Sequence, residues 1–154
     1  MARLTREHDA AMAALIRENL KACHLDIPGT AYFDEALDHL SAYYDRPGRA
    51  YYVLLSDGVV IGGGGFAEIA VFPVCCELQK LYLADRVKGL GLGRRLLAFI
   101  EDRARECGYR QMYLETHHVL VPAIRLYEKD GFEEIGRPEG VVHGTMDRFF
   151  RKAL

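Results

Sequence analysis

The chain has 154 residues, is 50% hydrophobic and carries a formal net charge of −2 at pH 7. That length suffices for one domain, residues 1–154, able to bury about two-thirds of its unfolded surface without covalent staples. The near-neutral charge argues against nucleic acid as a partner, no apolar run approaches the ~20 residues of a membrane span, and Met1-Ala-Arg-Leu-Thr lacks the apolar segment of a signal peptide, so a cytoplasmic protein is expected.

In chain order, a stub of strand precedes Thr5, which opens a helix with Met12, Ile16 and Leu20 on one stripe, running to about Ala22. Cys23 to Tyr32 holds Pro28 and Gly29 and reads as a loop. Asp34 then caps a helix carrying Leu37, Leu40 and Tyr44, ended by Pro47-Gly48. Ala50 to Ser56 is a strand, Asp57-Gly58 a hairpin turn, and Val59 to Val71 the returning strand. The run Gly62 to Gly65 within it predicts a bulge or a close backbone approach.

A strand from Glu77 to Leu83 follows, then glycines at 89, 91 and 93, then a helix to about Cys107 with Leu92, Leu96, Leu97 and Ile100 at helical spacing. Gln111 to Thr116 is a strand and Pro122 to Lys129 a helix; strands near Glu133 and from Thr145 to Arg151 close the chain. Cys23, Cys75, Cys76 and Cys107 show no metal-type pairing, and the adjacent Cys75 and Cys76 face opposite sides of a strand, so reduced thiols are expected.

The strand–glycine loop–helix segment is an anion cradle. Glycines let successive backbone N–H groups converge, and the opening helix adds its positive end, so a phosphate or pyrophosphate is the expected guest. Lys88, Arg94 and Arg95 add positive charge. A Walker loop is excluded because no Lys-Ser or Lys-Thr occurs in the chain. A dinucleotide fold is a poor match, since its fingerprint belongs to the first strand–helix unit of a parallel sheet and this loop lies past mid-chain, after a hairpin.

The segment resembles motif A of the GNAT superfamily of N-acetyltransferases, Arg/Gln-x-x-Gly-x-Gly/Ala between a strand and a helix. Arg86-Val-Lys-Gly89-Leu-Gly91 satisfies that pattern literally; Lys88-Gly-Leu-Gly91-Leu-Gly93 sits better against the flanking Leu-Tyr-Leu strand and the Leu96-Leu97 pair, and is preferred, with Lys88 replacing the usual Arg or Gln. Pro122-Ala-Ile-Arg-Leu-Tyr-Glu-Lys-Asp-Gly-Phe132 looks like motif B, a short helix closed by Gly131. Leu120 stands where many members carry an Asn that contacts the pantetheine arm. The resemblance spans roughly Glu77 to Phe132 and implies an α/β (α+β) fold: a mixed, mostly antiparallel central sheet flanked by helices.

It further implies acetyl-CoA as co-substrate, held by Leu81, Tyr82 and Leu83 at the strand end and by Lys88, Gly89, Leu90, Gly91, Leu92, Gly93 and Arg94 in the loop. A backbone N–H near Leu83 would polarise the thioester carbonyl. An amine of pKa near 10.4 must shed a proton before it attacks. Glu77, six residues before Leu83, is the candidate base, with Glu115 its rival; strand burial would raise the Glu77 pKa toward a useful value. Tyr127 is the candidate acid that protonates the departing thiolate. Plainer readings stand beside these: Tyr127 as a core tyrosine, and Glu77 as a solvated residue or a partner of Lys80.

His117 and His118 are adjacent and, on an extended chain, point oppositely, so no metal is expected. The family places its acceptor between the first helices and the last two strands, here Cys23 to Tyr44 and Gly136 to Thr145. Asp26, Tyr32, Asp34, Glu35, Tyr43, Tyr44, Arg137, Glu139 and His143 lie there. A small amine or an amino acid is the expected acceptor, and a homodimer through the C-terminal strands is common in the family. A noncatalytic acyl-CoA binding or sensing module is the alternative function.

Overall fold

The computed structural model describes residues 1–141 and 144–154, so His143 lies outside the described residues. The elements are β1 (Ala2–Arg3), α1 (Arg6–Ala22), 3-10 turns at Ala31–Phe33 and Glu35–His39, α2 (Leu40–Tyr44), β2 (Ala50–Ser56), β3 (Val59–Glu68), β4 (Cys75–Leu83), a 3-10 turn at Asp85–Val87, α3 (Leu92–Glu106), β5 (Gln111–Thr116), α4 (Val121–Lys129), β6 (Glu133–Ile135) and β7 (Arg148–Ala153). The strands form one sheet of order β1-β2-β3-β4-β5-β7-β6. Every pairing is antiparallel except β4 with β5. The mixed, mostly antiparallel sheet expected from the sequence is therefore present. No helix among the described residues is long and apolar enough to cross a membrane.

Alternation along the strands sorts two cores onto opposite faces of the sheet. Cys76, Leu78, Met112, Leu114 and Phe150 pack under α3 and α4 with Leu96, Leu97, Ile100, Ile124 and Tyr127. Met12, Ile16 and Leu20 of α1 pack with Leu37, Leu40 and Tyr44 over Tyr51 and Val53 on the other side. A third, small cluster of Cys75, Tyr113 and Phe149 also lies opposite the α3/α4 core, covered by Ile135 of β6 and by Phe72 and Val141 from loops rather than by a helix. Cys75 and Cys76 thus part to opposite faces, as alternation requires.

Two local rules explain the glycine-rich β3. A Cβ on Gly63 would stand 2.7 Å from the sulfur of Met12, and one on Gly65 would stand 2.4 Å from the Ala50 carbonyl oxygen, so α1 and β2 sit directly on this strand. The register also slips between Gly63 and Gly65, so both the expected close approach and the expected bulge occur.

The helix expected from Asp34 onward is instead a 3-10 turn followed by five residues of α-helix, and the Asp34 side chain makes no cap bond. Its carboxylate reaches Lys80 Nζ at 2.7 Å across the fold. The segment is held instead from α1, where buried Asp9 accepts from the Ser41 N–H at 2.8 Å and the Ser41 hydroxyl at 2.6 Å. The last strand begins at Arg148 rather than Thr145, and β3 stops at Glu68 rather than Val71.

Candidate active site

The site begins with one residue in an uncommon conformation. Lys80 has φ 52°, a left-handed value in the middle of β4. Gly63 pairs with Tyr82 and Gly65 with Gln79, so Lys80 and Leu81 together oppose Gly64, a β-bulge. The Lys80 carbonyl accepts from the Tyr51 hydroxyl at 2.7 Å, which fixes the bulge from the neighbouring strand. Side chains alternate Cys76, Leu78 and then Leu81, Leu83 toward the α3/α4 core, a three-residue step made by the bulge.

Beyond the bulge β4 leaves β5. The parallel ladder is confined to Cys75, Cys76 and Glu77 opposite Gln111, Met112 and Tyr113, whereas β5 stays paired to β7 along its whole length. A wedge therefore opens between the outer half of β4 and the outer half of β5. Backbone groups along such an edge need partners of strand-like spacing. Asn19 Nδ2 takes the Leu83 carbonyl at 3.1 Å, and the Ala84 N–H donates to the Ile61 carbonyl at 2.9 Å, so the strand end is anchored on its α1 and β3 sides.

The glycine loop follows. Gly89 and Gly91 have φ of 78° and 75°, and Gly91 is the residue before α3. A Cβ at either would meet nothing within 4 Å, so the backbone angle, rather than crowding, calls for glycine. Gly93 differs: its φ is not left-handed and a Cβ would make ordinary 3.5 Å contacts with Leu83 and Leu126. The family pattern admits alanine at its final position, which is Gly91 in the literal register and Gly93 in the preferred one. Only Gly93 has a backbone that alanine adopts without strain. The first N–H groups of α3 have no partner within their helix and, with the helix dipole, form an anion site. The Lys88 ammonium lies 2.5 Å from Asp85, in the turn before the loop.

The candidate acid and the candidate base belong to opposite faces of the sheet. Tyr127 on α4 is 7% exposed, set edge-on to Phe132 at 5.8 Å, and burial pushes its hydroxyl well above the ordinary tyrosine pKa. Among the described residues the hydroxyl makes no hydrogen bond. It is a core side chain whose hydroxyl keeps its proton. Leu120 precedes α4 as its cap residue without a side-chain cap bond.

Glu77 lies on the opposite face from Cys76 and Leu78, with its carboxylate accepting from Gln79 Nε2 at 2.6 Å. Gln79 in turn accepts from the Tyr44 hydroxyl at 2.8 Å. The expected alternative partner, Lys80, is engaged by Asp34. Glu115 shares that face on β5, where its carboxylate accepts from the Tyr113 hydroxyl at 3.2 Å, and Tyr113 is the ladder partner of Glu77. Both candidate bases therefore face one side of the sheet, flanking the wedge. Gln79 and Tyr113 had gone unnoticed in the sequence; the signal was their same-face spacing, two residues from each glutamate.

The acceptor segments also meet. Thr145 Oγ1 donates to the Pro28 carbonyl at 2.9 Å, joining the loop after α1 to the approach to β7. A groove of about 620 Å³ runs between Phe72, Ile135, Pro138, Glu139 and Arg151. Arg137 lies over the Phe149 ring at 4.8 Å and Arg151 over Phe72 at 4.8 Å. Tyr43 turns away to stack under Arg49, and Tyr44 is buried.

The adjacent histidines overturn their expectation. Strand geometry ends at Thr116, and the chain turns so that the Leu120 N–H donates to the His117 carbonyl at 2.9 Å. The two imidazole rings then lie 4.3 Å apart instead of on opposite sides.

A sheet parted at its one parallel pair, with a bulge on the inner strand and a glycine-opened helix beneath the gap, defines an acyl-transferase site of the kind the motifs resemble. The chain belongs to the acetyltransferase (GNAT) family, whose model matches residues 13–132. It is 40% identical over 137 residues to the uncharacterized N-acetyltransferase YjgM of Escherichia coli, covering 88% of this chain and 82% of that protein. The fold is similar to an acetyltransferase of the GNAT family from Staphylococcus aureus Mu50, with a TM-score of 0.87 at 18% identity over 99% of this chain and 96% of that one. It is also similar to the putative acetyltransferase yncA of Salmonella typhimurium, solved with its cofactor acetyl-CoA, with a TM-score of 0.76 and 25% identity over 99% and 91% of the two chains.

Proposed function

We propose that the chain, as one domain, moves the acetyl group of acetyl-CoA to the primary amine of a small molecule or amino acid by direct attack. The observation that carries this is the wedge between β4 and β5, opened at the Lys80 bulge and leading to the N-terminus of α3. Its unpaired strand edges suit the amides of a pantetheine arm, and the loop from Lys88 to Arg94 suits a pyrophosphate. Acetyl-CoA supplies an activated acyl group as a thioester.

The protein's own groups do the rest. A backbone N–H near Leu83 holds the thioester oxygen as charge develops on it. Glu77, oriented by Gln79, takes the proton of the incoming amine directly or through a water. Tyr127 gives its proton to the departing sulfur, whose thiol has an ordinary pKa of about 8.5. The groove at Phe72 and Arg151, with Arg137 nearby, supports an acceptor that carries a carboxylate as well as its amine, as amino acids do.

The test is release of free coenzyme A thiol from acetyl-CoA across a panel of amines and amino acids. Turnover with one class supports the reading. Tight acetyl-CoA binding without turnover on any amine would point instead to a noncatalytic acyl-CoA-binding module.

A further inference from the structure

We propose that His117, His118 and Asp147, where β5 ends and β7 begins, form a surface site for a zinc-class divalent cation. One ligand atom from each of the three lies within 4.8 Å of the others. The ligands of a tetrahedral zinc centre, with bonds of about 2.0–2.2 Å, stand about 3.3 Å apart, so small rotations of exposed His118 and Asp147 and of half-buried His117 bring these three to bonding distance.

The backbone beneath the cluster is fixed. Thr116 pairs with Arg148 as the last rung of the β5–β7 ladder, so residues 117–118 and 147 leave adjacent strand ends together. The Asp147 N–H donates to the Thr116 carbonyl at 3.2 Å, and the Asp147 carboxylate accepts from the His118 N–H at 2.8 Å. That second bond holds one carboxylate oxygen and directs the other to the His118 Nδ1, with which it pairs. His117 is placed by the Val119 N–H, which donates to its Nδ1 at 3.4 Å. The result is two imidazoles and one carboxylate, each with a hydrogen bond from the main chain or to a neighbouring ligand.

The donor set selects the ion. Two nitrogens and one oxygen suit zinc, cobalt or nickel, whereas calcium and magnesium favour all-oxygen shells. Three protein ligands leave a fourth position for water or a small ligand. The bound ion would join the turn that leads into α4 to the start of β7, and so add a cross-link between the two.

The test is titration of the full, untagged chain with Co²⁺, read by visible absorption and by thermal melting. The expected result is one ion per chain, the d–d bands of a site with few ligands, no thiolate charge-transfer band, and a raised melting temperature. His117→Ala and Asp147→Asn should each weaken binding by more than about a hundredfold, beyond what loss of an outer-shell partner produces. Calcium should not compete. Absence of binding, a thiolate band marking the exposed Cys107 as the ligand, or binding that survives both substitutions would overturn the site.

Discussion

Gln79 donates its side-chain N–H to the Glu77 carboxylate at 2.6 Å, and these two residues stand on the same face of β4 just before the bulge. The amide orients the Glu77 carboxylate. Glu77→Gln is expected to lower kcat by about 10²-fold or more, in the range general-base removal produces, with acetyl-CoA affinity unchanged. Gln79→Ala should lower kcat by less, because it removes only the orientation of Glu77. Steady-state kinetics on both, with Glu115→Gln alongside, assign the base; a larger loss for Glu115→Gln would move the role to β5.

Tyr127 should act as a protonated acid across the accessible pH range. Burial raises its pKa, so the hydroxyl keeps its proton up to and beyond about pH 10, and the pH–rate profile should show no falling limb from this group below that point. Tyr127→Phe is expected to slow coenzyme A release about tenfold or more while leaving Tm within a few degrees, since the ring and its contacts with Phe132 and Phe150 remain. Unchanged turnover would leave Tyr127 as a core residue only.

The loop glycines divide by backbone angle. Gly91→Val forces a β-branched residue into φ 75° at a cost of at least about 1–2 kcal/mol, and should weaken acetyl-CoA binding. Gly93→Ala should keep binding and gain up to about 1 kcal/mol of stability, because its backbone is helical and its new methyl has room. Calorimetric titration of both variants tests the register. Equal losses would contradict it.

A buried ion cluster should dominate one stability measurement. Lys152 Nζ lies 2.7 Å from both Glu101 and Asp130, and the side chains of the three are 18%, 5% and 12% exposed. Desolvation raises the Glu101 pKa despite its bond to Lys152. Lys152→Ala leaves half-buried Asp130 without its cation and buried Glu101 with only Arg105 at 3.6 Å, and should lower stability by up to about 3 kcal/mol in denaturant unfolding at neutral pH. The loss should shrink as pH falls and the carboxylates take up protons, because protonation removes the uncompensated charge.

Much of the fold was legible because it rests on short-range rules. The hairpin turn at Asp57-Gly58, with φ of 50° and 78°, and the end of α4 at Gly131, with φ 91°, occur where turn and cap chemistry placed them. The glycine loop and the Tyr127 helix were legible for the same reason. The bulge at Lys80 was hidden, because lysine carries no left-handed signal and the cause lies in the partner strand and in Tyr51. Asp34 reads as a helix cap, but an ion pair with Lys80, 46 residues away, draws its side chain elsewhere. The meeting of His117 with His118 was hidden because strand alternation was carried two residues past Thr116, where the strand ends. Local propensity says nothing of such long-range partners, and the Gln79–Glu77–Tyr44 arrangement depends on one of them.

The most direct measurement is calorimetric titration of the chain with acetyl-CoA, repeated with Gly91→Val. The expected result is saturable binding of one acetyl-CoA per chain, clearly weakened in the variant, since the wedge and the α3 N-terminus are the proposed seat. Absence of binding, or equal binding by both proteins, would contradict the placement of the cofactor between β4 and β5.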